Sequence, residues 1–187
     1  MILEEIKESI KVKEEIIKSE TLIQQIQNLA ETCLLSLKNK GKIILAGNGG
    51  SFADAQHISA EFTSRYMKER KSLPSICLGT NNSAISAIGN DYGYDSVFSR
   101  ELESIANQED VFIAISTSGK SENLIKAIKV ANEKKITVYA LTGKTGGDLN
   151  DLCECLKVPS LVTGRIQESH ILIGHIICGI VENKYFI

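Results

Sequence analysis

The sequence predicts an α/β fold: a five-stranded parallel sheet with helices on both faces, preceded by a helical extension. Three observations carry this. From Lys42 onward, short apolar β-branched runs alternate with segments of helical periodicity, the pattern of strands joined by helical crossovers. The runs are apolar throughout instead of alternating with polar residues, as strands buried on both faces require. Ahead of them, residues 2 to about 37 carry an apolar stripe at helical spacing and no strand signal.

Leu3, Ile6, Ile10, Ile16, Ile23, Ile26, Leu29 and Leu37 form the stripe of the extension, Ser19-Glu20-Thr21 breaks the register into two helices, and Gly41 is placed to stop the second. So long a stripe needs a cover, and a partner subunit is a natural one. The predicted strands are Ile43–Ala46, Ser75–Leu78, Val111–Ile115, Thr137–Leu141 and Glu154–Val158. The predicted helices between and after them are Phe52–Tyr66, Asn82–Ala87, Val97–Ser104, Glu122–Asn132, a short one near Asp148–Leu152, and Ile166–Asn183. Residues 1–187 read as a single domain, with 1–40 as the extension, and the length suffices for a core of its own.

Composition narrows the function. The net charge is -2 with no basic block, which argues against nucleic acid as a partner. No apolar run approaches the roughly 20 residues that span a bilayer, so no membrane association is expected. The opening MILEEIKESIKVKEE is charged and amphipathic, unlike a secretory signal. The five cysteines are odd in number and lack disulfide or metal spacing, so they read as reduced thiols of a cytoplasmic protein. Cys153 and Cys155 read as strand-edge residues.

In parallel sheets ligands sit at the carboxyl ends of the strands, which directs attention to four loops. Asn48-Gly49-Gly50-Ser51 follows the first strand. Its glycines permit close backbone approach to a ligand, and Ser51 can cap the next helix. It reads equally as a tight turn, and it lacks the G-x-G-x-x-G spacing of a dinucleotide site. Ser116-Thr117-Ser118-Gly119-Lys120-Ser121 follows the third strand and opens a helix. Hydroxyls, a glycine and a helix N-terminus suit a phosphate, and without P-loop spacing a single phosphoryl group fits better than a nucleotide cofactor. Asn90 and Asp91 sit in a polar stretch read as a turn between helices, with Asp91 suited to sugar hydroxyls.

Two of the three histidines draw attention. His57 and Glu61 stand at i and i+4 on one helix face. Gln167 and His175 are eight residues apart on the last helix and share a face, whereas His170 falls on another and reads as structural. Converging, His57, Glu61, Gln167 and His175 suit a divalent ion such as zinc, and equally an acid–base pair acting on a carbonyl compound. Spacing does not choose between them.

The segments GNGGSFADAQHISAEF, AIGNDYGYDSVFSREL, AISTSGKSENLIKAI, ALTGKTGG and GRIQESHILIGHIIC occur in order along nearly the whole chain. Together they resemble a sugar isomerase (SIS) domain, and specifically the phosphoheptose isomerases. The resemblance implies a flavodoxin-like three-layer α/β/α sandwich, a homotetramer with active sites at subunit interfaces, and conversion of sedoheptulose 7-phosphate to D-glycero-D-manno-heptose 7-phosphate through an enediol. That reaction is the first step towards the activated heptoses of bacterial surface glycans such as lipopolysaccharide or capsule. It further implies that Asn48, Gly49, Gly50, Ser51, Glu61, Arg65, Asn90, Asp91, Ser116, Thr117, Ser118, Ser121 and Gln167 meet the phosphorylated seven-carbon sugar. Glu61 and His175 would be the catalytic pair, and zinc would be held by His57, Glu61, Gln167 and His175. Gly164 departs from the family, which often has an acidic residue there. A non-catalytic relative, a tetrameric scaffold for the bacterial replication initiator protein, keeps the helices, the hydroxyl loop and the R-I-Q-E segment but lacks the carboxylate and final histidine. Glu61 and His175 therefore favour the enzyme.

Overall fold

The computed structural model describes residues 1–186; Ile187, last of the expected domain, lies outside the described residues. The extension forms α1 (Ile2–Lys18) and α2 (Glu20–Lys38). Ser19 separates them in an extended conformation and caps α2, its hydroxyl accepting from the Leu22 amide at 3.3 Å. The end of α2 differs from expectation. Lys40, at φ 66°, takes the left-handed position, with Gly41 N–H donating to Ser36 O at 2.9 Å and Lys40 N–H to Leu37 O at 3.3 Å, a Schellman closure. Gly41 is needed for close packing instead: a Cβ there would stand 2.3 Å from the Glu109 carbonyl oxygen.

The sheet contains β1 (Ile43–Gly47), β2 (Ser75–Cys77), β3 (Val111–Ser116), β4 (Thr137–Thr142) and β5 (Glu154–Lys157). All are parallel, in the order β2-β1-β3-β4-β5. This is the flavodoxin-like order, whose direction of winding reverses between β1 and β3 and opens a crevice there. Successive residues of β1 face opposite layers: Ile43 and Leu45 join a core with α2, α3 (Gly50–Thr63) and α7 (Thr163–Tyr185), while Ile44 and Ala46 join one with α5 (Val97–Ile105) and α6 (Glu122–Glu133). Val12 and Ile16 bring α1 into the first core. Cys33, Cys77, Cys155 and Cys178 are buried as small apolar side chains. Cys153 precedes the edge strand β5 and Cys155 lies in it, as strand-edge residues.

Most boundaries fall within a residue or two of those predicted. The main exception is α4 (Asn82–Tyr92), which runs five residues beyond the predicted Ala87 and takes Gly89, Asn90 and Asp91 into its last turns. The stretch read as a turn is helical; the turn comes at Gly93, φ 85°, followed by a 3₁₀ turn at Tyr94–Ser96.

His170 lies wholly inside the first layer of helices, 0% exposed, with Nε2 3.1 Å from the Thr142 carbonyl. Burial pushes its pKa down to about 4, the carbonyl working the other way. The folded protein therefore keeps His170 neutral while the unfolded chain takes up a proton below about pH 6.5. Its contribution, roughly 3 kcal/mol, is present above pH 6.5 and drains away between 6.5 and 4. Thermal melts should show stability falling over that interval, and His170→Gln, which keeps a donor for Thr142 but does not titrate, should flatten the fall.

Candidate active site

Two loops flank the crevice between β1 and β3. At the first, Gly49 is the N-cap of α3 at φ 56°, and α3 begins at Gly50. Ser51, expected as the cap, is thus inside the helix and buried, and its hydroxyl faces a cavity. At the second, Ser116 Oγ accepts from Gly119 N–H at 3.1 Å and lies 3.3 Å from Ser121 Oγ. Gly119, φ 67°, admits no side chain, since a Cβ would lie 2.0 Å from Gly146 O. Ser121 is the N-cap of α6 without a side-chain cap bond, so the first amides of that helix are available to an anion.

The cavity between these loops, about 120 Å³, is lined by Asn48, Ser51, Ile115, Ser116, Thr117, Ser118, Ser121 and Gln167. Six of the predicted binding residues thus surround one polar pocket, joined by Gln167 from α7. Gly50 is the reason Gln167 fits: a Cβ there would meet its Nε2 at 2.4 Å. Asn48 is fixed by Asn123, each amide nitrogen donating to the other's oxygen at 3.0 Å, and by Tyr94 Oη donating to Asn48 Oδ1 at 3.0 Å. Sequence reasoning missed Asn123, which is buried in the first turn of α6.

The second cluster lies where α3 crosses α7. His57 Nε2 stands 3.1 Å from Glu61 Oε1 and 3.3 Å from His175 Nε2. Ligand atoms of His57, Glu61 and His175 all fall within 4.8 Å of one another, a candidate metal-binding group. Two nitrogens each about 2.0–2.1 Å from a tetrahedral ion stand roughly 3.3 Å apart, so the spacing and the two-imidazole, one-carboxylate chemistry both fit a divalent ion. The approach is set by neighbours in sequence. Gly174 faces Ile58, and a Cβ on Gly174 would lie 2.4 Å from Ile58 Cδ1. Gln167 sits eight residues before His175, about 12 Å of helix rise, so in one chain it serves the hydroxyl pocket.

Behind the cluster is a buried ion pair that sequence reasoning also missed. Arg70 and Glu182 have side chains 3% and 2% exposed, with Nε to Oε1 at 3.0 Å. Glu182 also accepts from the amides of Tyr66, Met67 and Lys68 at 3.1, 2.8 and 2.9 Å. Burial opposes its ionisation, but those amides and the Arg70 guanidinium hold its carboxyl below the usual range. Arg70 donates to the carbonyls of Glu61, Phe62 and Ser64 at 2.6, 2.7 and 3.0 Å, ending α3 at Thr63. The Tyr66 ring stacks on His175, centroids 5.5 Å apart.

Three predicted residues are not brought to either cluster within one chain. Arg65 lies past the end of α3, exposed, its Nε 3.6 Å from Glu69 on the surface. Asn90 and Asp91 border a separate open cavity on α4, with Asn82 and Ser86. In the R-I-Q-E segment, Arg165 and Glu168 instead fasten α1: Arg165 donates to Glu5 O at 2.6 Å, and Glu168 pairs with Lys13. Gly164 has open space around it, so packing does not demand the glycine.

The SIS domain family model matches residues 6–143. A phosphoheptose isomerase of Aneurinibacillus thermoaerophilus is 53% identical over 182 residues, covering 97% of this chain and 92% of the relative. The chain belongs to the phosphoheptose isomerase family. Phosphoheptose isomerase 2 of Campylobacter jejuni is 52% identical, over 96% of this chain and 90% of its own. Among solved structures, the phosphoheptose isomerase of Francisella tularensis superposes with TM-score 0.93 at 34% identity, covering 97% of this chain and 96% of that one. The Neisseria gonorrhoeae phosphoheptose isomerase superposes with TM-score 0.89 at 43% identity, covering 97% of both chains. Among the described residues no helix is long and apolar enough to cross a membrane.

The Gly174–Ile58 contact gives a test of the site that needs no substrate. Gly174→Ala should push α7 from α3, costing roughly 1–3 kcal/mol by overpacking and separating His57 from His175. Calorimetric titration with a divalent ion should show weakened binding in that variant; unchanged affinity would contradict the reading of the crossing.

Proposed function

We propose that the protein is an aldose–ketose isomerase that converts sedoheptulose 7-phosphate to D-glycero-D-manno-heptose 7-phosphate. The observation that carries this is the meeting of Glu61 with His57 and His175, beside a hydroxyl-lined pocket of phosphate character, in a chain of the phosphoheptose isomerase family. The scaffold reading is not favoured, because Glu61 and His175 are present and stand together.

The reaction moves a proton between C1 and C2 through an enediol. Ser116, Thr117, Ser118 and Ser121 hold the phosphate with the N-terminus of α6, while Ser51, Gln167 and the Asn48-Gly49-Gly50 backbone line the sugar. Anchoring one end of the chain orients the reacting end, so binding energy there lowers the barrier at C1 and C2. Glu61 takes the C1 proton of the open-chain ketose and returns it to C2. His175 transfers protons at the two oxygens and assists ring opening. His57, Glu61 and His175 would hold zinc, which when bound supplies a Lewis acid for the carbonyl; Gln167, held in the hydroxyl pocket of its own chain, would join them as a fourth donor only from a neighbouring subunit.

The assembly completes the site. Ile2, Leu3, Ile6, Ile10 and Ile17 of α1 are exposed, and packing of residues 1–40 between subunits in a homotetramer covers them. A neighbouring chain would then bring Arg65, Asn90 and Asp91 to the substrate. Sedimentation equilibrium should give about four times the 20.5 kDa chain mass. The reaction is a cytoplasmic one, feeding activated heptoses for surface glycans.

NMR should show conversion of sedoheptulose 7-phosphate, with solvent deuterium entering at C1 and C2 in D2O. Glu61→Gln should cut both turnover and wash-in by about 10²–10⁴-fold. Retained wash-in would remove Glu61 as the base; absence of turnover by the parent protein, with or without a chelator, would return the scaffold reading.

A further inference from the structure

We propose that the buried Arg70–Glu182 ion pair is a positioning device for the two proton-transfer residues, fixing Glu61 at the end of α3 and Tyr66 against His175. It rests on the reading of Glu61 and His175 as the catalytic pair.

The contacts form a closed circuit. Arg70 Nη2 donates to the backbone carbonyl of Glu61 itself, at 2.6 Å, and Nη1 to Phe62 O at 2.7 Å. Its Nε meets Glu182 on α7. Glu182 stands seven residues beyond His175, two turns along the same face. Its oxygens gather the amides of residues 66 to 68, and that segment presents the Tyr66 ring to His175 at an interplanar angle of 19°. Moving either charged group therefore shifts the Glu61 backbone, the Tyr66 ring, or both.

Stability alone is a poor account of the pair. A buried ion pair is often no more stabilising than an apolar pair of similar volume, because both charges lose their water. Capping one helix end needs one or two donors, yet here both terminal nitrogens of the guanidinium are committed to carbonyls at and just past the end of α3, its Nε to Glu182, and the Glu182 carboxylate to three successive amides. The planar fork of arginine fixes directions that lysine does not. What the pair adds is directional constraint, at the two elements that carry the proton-transfer groups. The phosphate pocket is remote from it: Gln167 lies fifteen residues before Glu182 on α7, about 22 Å of rise.

That separation makes the proposal testable by splitting kcat from KM. In Glu182→Gln, assayed well below its melting temperature, kcat for sedoheptulose 7-phosphate should fall about tenfold or more, with KM within about twofold. A second readout needs no turnover. The His175 ring protons, assigned by their loss in His175→Gln, carry a ring-current shift from Tyr66, and Tyr66→Leu gives the unstacked reference. In Glu182→Gln the His175 resonances should move towards that reference. Both changes together support the proposal. A kcat within twofold of the parent, or His175 resonances at parent positions, overturns it and leaves the pair a structural cap. If Glu182→Gln does not fold, Arg70→Lys, which keeps the charge and loses the fork, takes the same two measurements. If the parent itself does not turn over sedoheptulose 7-phosphate, the functional reading fails and the resonance shift alone decides the positioning.

Discussion

The close crossing of α3 over α7, possible because residue 174 has no side chain, is the constraint on which the rest of the site depends. Ile58 occupies the space a Cβ of Gly174 would need. Each of these residues is the chain neighbour of an imidazole, Ile58 of His57 and Gly174 of His175. Packing in the core and chemistry at the surface are therefore one event. The helices approach because a glycine meets an isoleucine, and two ring nitrogens arrive 3.3 Å apart as a result. Arg70 and Glu182 then fix the angle of that approach from behind, where neither touches the ligand atoms.

The sheet supplies the other half. Because strand order reverses between β1 and β3, the loops after them diverge to opposite faces and leave a crevice. The reciprocal Asn48–Asn123 amide pair ties the two loops across it. The pair gives the buried Asn123 a partner for both its amide nitrogen and its oxygen and braces the two sides of the crevice against each other. α7 spans the distance to the metal-type cluster, with Gln167 at the hydroxyl pocket and His175 two turns on. In the proposed reaction, one helix would thus space the phosphate-anchoring end of the site from the proton-transfer end.

What was legible in the sequence was local. Doubly buried strands announce themselves as apolar β-branched runs, and the carboxyl-end rule turned them into a short list of loops. His57 with Glu61 was readable because helical periodicity puts i and i+4 on one face. Failures came where distant residues decide local geometry. The predicted helix over Arg65 ends at Thr63 because Arg70 takes its carbonyls, and Arg70 is held by Glu182, 112 residues away. Ser51 does not cap α3 because Gly49, in a conformation glycine favours, starts the helix earlier. Gly89-Asn90-Asp91 looked like a turn by composition, yet α4 passes through it. In the R-I-Q-E segment, periodicity could not tell that Arg165 and Glu168 hold α1 while Gln167 alone enters the pocket.

The proposed chemistry leaves the single chain with a problem that a neighbouring subunit would solve. A base that returns the same proton to the neighbouring carbon works best where bulk water is excluded, yet the His57 side chain is 50% exposed. Arg65 lies exposed beyond α3, Asn90 and Asp91 border an open cavity away from both clusters, and α1 offers an uncovered apolar stripe. A neighbouring subunit seated on these features would shield the cluster, bring charge and amide groups to the sugar, and bury the isoleucines of α1 together. The hydrophobic cost of leaving α1 bare and the catalytic cost of leaving His57 wet then have one remedy. The link between them is already built: Arg165 and Glu168 fasten α1 to the start of α7, the helix that carries both Gln167 and His175. In the proposed tetramer, assembly and active-site geometry would thus meet on a single helix.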